Sequence, residues 1–242
     1  MTHVYLVRHA QASFGAADYD QLSALGQRQA VLLGQWWRQT GRRIDSIAMG
    51  TLQRHRQTAE ACLTALGADN CDNLVDAGFN EYDHEAILRI YRPDLGDHLM
   101  VARYLGEQAK QGVDPKRAFQ RVFMHAVERW TSGAHDGDYP ESWSAFKLRC
   151  VNAMHHAVAH AGERGHTNLT VFTSGGPIAA IAQSGLSLAD ANAFELAWVM
   201  MNTGVTQLSA RTTGQPSRLR LVQFNNVAHL DVACDPSLLT FR

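Results

Sequence analysis

His3-Val4-Tyr5-Leu6-Val7 runs directly into Arg8-His9-Ala10-Gln11-Ala12-Ser13 near the N-terminus. The first five residues are short, apolar, β-branched and aromatic, the pattern of a buried strand. In open α/β sheets ligands gather at the carboxyl ends of the strands. Arg8 and His9 fall at that end, where a fixed positive charge can hold an anion and an imidazole can attack it.

Working outward, Ser23 to Gln39 carries an apolar stripe of Leu25, Leu32, Leu33, Trp36 and Trp37 at helical spacing, with Gly41 as its stop. Ile44 to Met49 reads as a second strand. Thr51 is a plausible N-cap for a following helix that carries Leu52, Ala59, Leu63 and Leu66, ends at Gly67, and places Arg54 in its first turn. Strand, helix, strand, helix predicts an α/β fold: a three-layer αβα sandwich with a mostly parallel central sheet. From about 84 to 140 the chain turns helical and charged, with helices expected near Leu95 to Gln111 and Pro115 to Trp130. That stretch is expected to form a helical insertion over the C-terminal edge of the sheet, within a single domain spanning 1–242. Gly133 to Pro140 is a loop by composition. Ser142 can cap a long amphipathic helix, Leu169 to Thr173 reads as a strand, and Ser174-Gly175-Gly176-Pro177 leads into an apolar helix. Proline at a first helical position leaves backbone N–H groups free to hold an anion. Val205 to Ala210 and Arg218 to Phe224 are expected to complete the sheet.

Composition narrows the function. The chain has 242 residues, 45% of them hydrophobic, and a formal net charge of -1 from 22 basic and 23 acidic residues. No global field favours nucleic acid or an anionic membrane, so any anion preference must be local. No segment approaches the roughly 18 uninterrupted apolar residues of a membrane span. Cys62, Cys71, Cys150 and Cys234 show no C-x-x-C spacing in a chain long enough to fold without staples, and read as reduced thiols of a cytoplasmic protein. Among the 12 histidines, His155, His156 and His160 include an i, i+4 pair, but no H-E-x-x-H glutamate accompanies them. Neither a metal nor another cofactor is expected.

In order along the chain, Leu6-Val7-Arg8-His9, then Asp20-Gln21-Leu22-Ser23-Ala24-Leu25-Gly26-Gln27-Arg28-Gln29-Ala30, then Gly50-Thr51-Leu52-Gln53-Arg54-His55-Arg56-Gln57-Thr58-Ala59, and finally Phe79-Asn80-Glu81-Tyr82-Asp83 resemble segments of the histidine phosphatase superfamily. Glu141-Ser142 with Arg149 resembles the start of that family's penultimate long helix. Asn202 to Thr206 and Asn226 to Leu230 resemble its C-terminal strand region. The resemblance implies that His9 becomes phosphorylated, that Arg8 and Arg54 bind the transferred phosphoryl group, and that Glu81 protonates the leaving group.

There are also departures from the pattern. Ser174-Gly175 stands where the family places a His-Gly pair, Gly15 where an asparagine is common, and Ala10 where glycine is usual. Ser174 and the N–H groups of Gly175 and Gly176 are expected to contact phosphate in partial compensation. A histidine reaching in from the insertion, His125 or His135, is the alternative. Asp83 can raise the pKa of Glu81 or be an ordinary loop residue.

The resemblance therefore implies a metal-independent phosphomonoesterase that acts on a small phosphorylated metabolite through a phosphohistidine. Its activity is expected to be reduced by Ser174, and Ser174→His to raise it. A weak or inactive relative that binds a phosphorylated ligand or protein is the alternative, and a phosphomutase the third reading. A homodimer would fit exposed apolar surface on the insertion or an edge strand.

Overall fold

In the computed structural model the described residues are 1–13, 20–68, 71–211 and 218–241. They fall into two compact units, Met1–Glu81 with Arg149–Arg242, and Tyr82–Leu148. Gly15, noted above as a departure, lies outside the described residues.

The first unit is built on a six-stranded sheet of β1 (Thr2–Arg8), β2 (Ser46–Met49), β3 (Asp72–Val75), β4 (Asn168–Thr173), β5 (Val205–Arg211) and β6 (Arg218–Asn226), in the order β3-β2-β4-β1-β5-β6. β3, β2, β4 and β1 run parallel; β5 and β6 are antiparallel additions. The sheet is therefore mostly parallel and flanked by helices, as the sequence pattern implied. β1 sits inside the sheet because both of its faces are apolar. Tyr5 and Val7 pack in one cluster with Leu33, Trp37, Ile47, Met49, Cys62 and Leu63, while Val4 and Leu6 on the opposite face have no solvent exposure.

The helices of this unit are α1 (Ala24–Gln39), α2 (Gln53–Leu66), α6 (Trp143–Glu163, which begins in the other unit), α7 (Gly175–Leu186), α8 (Asp190–Val199) and α9 (Ala228–Asp231). α1 packs along α2. Ser23 caps α1 by accepting the Gly26 N–H at 3.0 Å, and Gly67 ends α2 in the left-handed region at φ 83°. Three local features differ from the sequence pattern. α7 starts at Gly175 and not at Pro177, because Ser174 already has the extended backbone of an N-cap. β6 runs past the expected Phe224 to Asn226, whose side chain accepts the Ala228 N–H at 3.0 Å at the start of α9. β3, short and half polar, was not foreseen.

The second unit holds α3 (His84–Tyr91), α4 (His98–Lys110), α5 (Pro115–Thr131) and the start of α6. Asp83, Asp97 and Asp114 cap the three helices by accepting N–H groups of Ala86, Met100 and Arg117 at 2.9, 2.8 and 2.9 Å. Asp83 is thus a helix cap. The core of this unit joins Trp130 to Trp143 and Tyr82 at ring-centroid distances of 5.2 and 5.1 Å. That packing carries the unit to Tyr82–Leu148, past the 84–140 suggested by composition. Among the described residues, no helix is long and apolar enough to cross a membrane.

Candidate active site

Parallel pairing of β1 with β4 puts Arg8 opposite Thr173 and brings the carboxyl ends of the two strands together. The His9 N–H donates to the Thr173 carbonyl at 2.7 Å. Asn202 Nδ2 donates to the His9 carbonyl at 3.1 Å, and the Ala10 N–H donates to Thr58 Oγ1 at 3.0 Å. These bonds fix the backbone on either side of the imidazole.

His9 is 6% exposed, with Nδ1 2.8 Å from the Ala10 carbonyl oxygen. A carbonyl only accepts, so Nδ1 carries the proton and Nε2 keeps its lone pair. Burial, followed by the charges of Arg54 and Arg8, holds the ring well below the ordinary histidine range. His9 is a neutral imidazole with one nitrogen free to attack.

Arg54, 8% exposed, lies in the first turn of α2 and pairs through Nη1 with Asp20 Oδ1 at 2.7 Å. Asp20 Oδ2 also accepts the Gln53 N–H at 2.7 Å, so the carboxylate of Asp20 binds the N-terminus of α2. Thr51 is not the cap of that helix. Its N–H donates to Asn80 Oδ1 and its hydroxyl accepts from Asn80 Nδ2, both at 2.7 Å. Arg8 donates from Nη1 to the Met200 carbonyl and from Nη2 to that of Phe241, the latter at 2.9 Å. A guanidinium carries five N–H donors in a fixed planar fork, the geometry that matches the oxygens of a phosphate.

Glu81 closes a loop held from several sides. Arg149 Nη1 donates to the carbonyls of Ala77, Gly78 and Asn80 at 3.1, 3.1 and 3.0 Å, and Thr173 Oγ1 donates to that of Phe79 at 2.6 Å. Glu81 Oε2 accepts the Gly176 N–H at 3.2 Å. The N-terminus of α7, expected to meet phosphate, holds this carboxylate.

The sequence pattern assigns no role to His55. It is fully buried on the inner face of α2 with Thr58, Ala59 and Cys62, and its Nε2 lies 2.7 Å from Ser174 Oγ. Its ring centroid is 5.9 Å from that of His9. Burial, and then Arg54, keep it neutral. Gly50 makes room for it, since a Cβ there would stand 2.4 Å from His55 Nδ1 and 2.5 Å from Asn80 Oδ1. The available signal was helical spacing, which puts position 55 on the same inward face as Thr58, Ala59 and Cys62. His125 and His135, the replacements looked for in the insertion, are solvent exposed.

The histidines of α6 meet carboxylates: His156 lies 3.4 Å from Asp76 and His160 3.2 Å from Asp72. Among the described residues, no cluster of three or more His, Cys, Asp or Glu is placed to hold a metal ion.

Residues 4–95 match the model of the histidine phosphatase superfamily (branch 1). No curated protein matches the chain in sequence. Solved structures share its fold. A mycobacterial glucosyl-3-phosphoglycerate phosphatase complexed with inorganic phosphate superposes with a TM-score of 0.60 at 22% identity, over 95% of this chain and 99% of that one. A phosphoglycerate mutase from Bacillus anthracis gives 0.64 at 15% identity, over 97% of each chain. A phosphoserine phosphatase from Entamoeba histolytica gives 0.59 at 15%, over 95% and 100%.

Proposed function

From the relationship of this chain to the histidine phosphatase superfamily through residues 4–95, we propose that it is a metal-independent phosphomonoesterase that uses His9 as nucleophile on a small phosphorylated metabolite. The observation that carries this reading is the state of His9: buried, neutral, and tied through Nδ1–H to the Ala10 carbonyl so that Nε2 is free. Metabolite phosphatases among the structures of similar fold support the same class.

In the reaction, Nε2 attacks phosphorus and the ester P–O bond breaks. Glu81, in its protonated form, gives its proton to the departing alkoxide. Arg8 and Arg54 hold the equatorial oxygens through planar, permanently charged donors. Water then attacks the phosphohistidine and loses a proton to Glu81, His9 leaves as neutral imidazole, and inorganic phosphate departs. Ser174 and Gly175, at the start of α7, complete the phosphate pocket. Four cysteines without C-x-x-C spacing, in a chain of this length, support a cytoplasmic setting.

The test is hydrolysis of an aryl phosphate by metal-free protein, with acid-labile phosphoprotein trapped by rapid quenching. Turnover and a trapped phosphoprotein that both vanish in His9→Ala support the reading. If parent and His9→Ala are indistinguishable, the enzyme reading fails, and retained phosphate binding would then favour a binding protein.

A further inference from the structure

Ser174 occupies the N-cap of α7 without capping it. Serine at that position ordinarily accepts an N–H from the helix's own first turn, but the hydroxyl of Ser174 makes no such bond. It turns onto His55 Nε2, 2.7 Å away, in a place where neither side chain has solvent exposure. The direction of this bond follows from the other ring nitrogen. Nδ1 of His55 is buried with no hydrogen-bond partner among the described residues. A buried N–H without an acceptor is rarer and costlier than a bare lone pair. The proton of the neutral ring therefore sits on Nε2 and is donated to Ser174 Oγ. That frees the serine's own hydrogen, which has no acceptor among the described residues.

The surroundings of the hydroxyl say what it meets. Ser174 directly precedes Gly175, where a Cβ would stand 3.8 Å from Arg8 Nε, and Gly176, whose N–H holds Glu81. The His55 ring faces the His9 ring at 5.9 Å. We propose that His55 and Ser174 form a donor pair for the phosphoryl group: His55 Nε2–H fixes the Ser174 hydroxyl so that its hydrogen points at a phosphoryl oxygen during transfer to His9. Ser174 touches the phosphoryl group, and His55 is a positioning residue that acts through it. This rests on the phosphatase reading. It adds a neutral hydrogen-bond donor to the two arginines, supplied by helix α2 and the β4–α7 turn together.

The experiment compares the parent with Ser174→Ala, His55→Leu, His55→Gln and the double exchange His55→Ala with Ser174→His. Aryl phosphate turnover and the binding of inorganic phosphate by calorimetry are both measured, with thermal unfolding as a check on the fold. Ser174→Ala removes only a hydroxyl and is expected to lower kcat about a hundredfold and to weaken phosphate binding. His55→Leu is expected to match it. Gln can still donate to Ser174, so His55→Gln should retain most of the activity, whereas a packing role would rank Leu at or above Gln. The double exchange should recover part of the loss, because an imidazole on residue 174 would enter the space vacated by the ring of His55.

If the parent turns over and Ser174→Ala and His55→Leu leave kcat and phosphate affinity unchanged, the donor pair is overturned while the phosphatase reading stands. The pair is also overturned if Leu equals or outperforms Gln. If the parent does not turn over, the phosphatase reading fails and phosphate affinity alone decides the pair: weaker in Ser174→Ala and His55→Leu supports it, while equal affinity, or no binding by the parent, overturns it.

Discussion

The carboxylate of Glu81 and the backbone N–H of Gly176 are hydrogen-bonded at 3.2 Å, so the residue proposed as proton donor occupies the anion-binding end of helix α7. A phosphate that reaches the same N–H must share it or displace the carboxylate. Glu81→Gln removes the negative charge and is expected to bind inorganic phosphate several-fold more tightly in calorimetry. The same variant lacks the acid, so its turnover of an alkyl phosphate should fall by about 10² to 10⁴. An aryl phosphate, whose leaving group needs less protonation, should suffer less. Equal losses on both substrates would remove Glu81 from the role of acid.

Ser174→His is expected to lower turnover, the reverse of what sequence comparison suggests. An imidazole on residue 174 would have to occupy space held by His55, whose Nε2 is 2.7 Å from the serine oxygen. Overfilling a closed site costs about 1–3 kcal/mol, so a fall in Tm should accompany the loss of rate.

Gly50→Ala should perturb the same pair from the opposite side. Its Cβ would stand 2.4 Å from His55 Nδ1 and 2.5 Å from Asn80 Oδ1, so both side chains must shift. The expected cost is about 1–3 kcal/mol in denaturant unfolding, with kcat reduced more than in a variant of equal stability altered in the second unit.

Three buried histidines set the acid stability. His9 and His55 lie well below the ordinary value of 6.5, and burial brings His229 to about 3. Above 6.5 they are neutral in folded and unfolded chains alike and favour neither. Below it the unfolded chain takes up protons that the folded chain excludes, so each histidine lowers stability by up to about 1.4 kcal/mol per pH unit until its folded pKa is reached. Urea midpoints measured from pH 7.5 to 5 should fall steadily below 6.5, and less so in a His229→Gln variant.

The same burial shapes the rate profile. Protonation of His9 would abolish its nucleophilicity, and its pKa is depressed by burial, Arg54 and Arg8. The acid limb of kcat/KM attributable to this group is expected well below 6.5. A limb at 6.5 that persisted in Glu81→Gln would contradict the neutral, enclosed ring.

Much of the frame was legible because strands and helices carry their own period. Tyr5 and Val7 against Val4 and Leu6, and Leu33 with Trp37, announce which faces are buried. The pocket was less legible. Arg8, His9, Arg54 and Glu81 could be named from their neighbours in the chain, and all four lie in the unit built on the sheet. His55 could not be named as a pocket group, because its meaning depends on Ser174, a residue 119 positions away. Asp20 and Phe241, which anchor the two arginines, were hidden for the same reason. Local pattern reports what a residue is, and only tertiary pairing reports what it touches.

The segment from Leu238 to Phe241 reaches across the first unit. Gln29 Nε2 donates to the Leu238 carbonyl and to Thr240 Oγ1, both at 2.8 Å, the Asn202 N–H donates to the Thr240 carbonyl at 2.7 Å, and Arg8 donates to that of Phe241. During translation, then, Arg8 leaves the ribosome 192 residues before one of its backbone acceptors, Met200, and 233 before the other, Phe241. At translation speeds of about 5–20 residues per second, these two carbonyls follow Arg8 by many seconds. The pocket thus waits on carbonyls from residues that perform no chemistry.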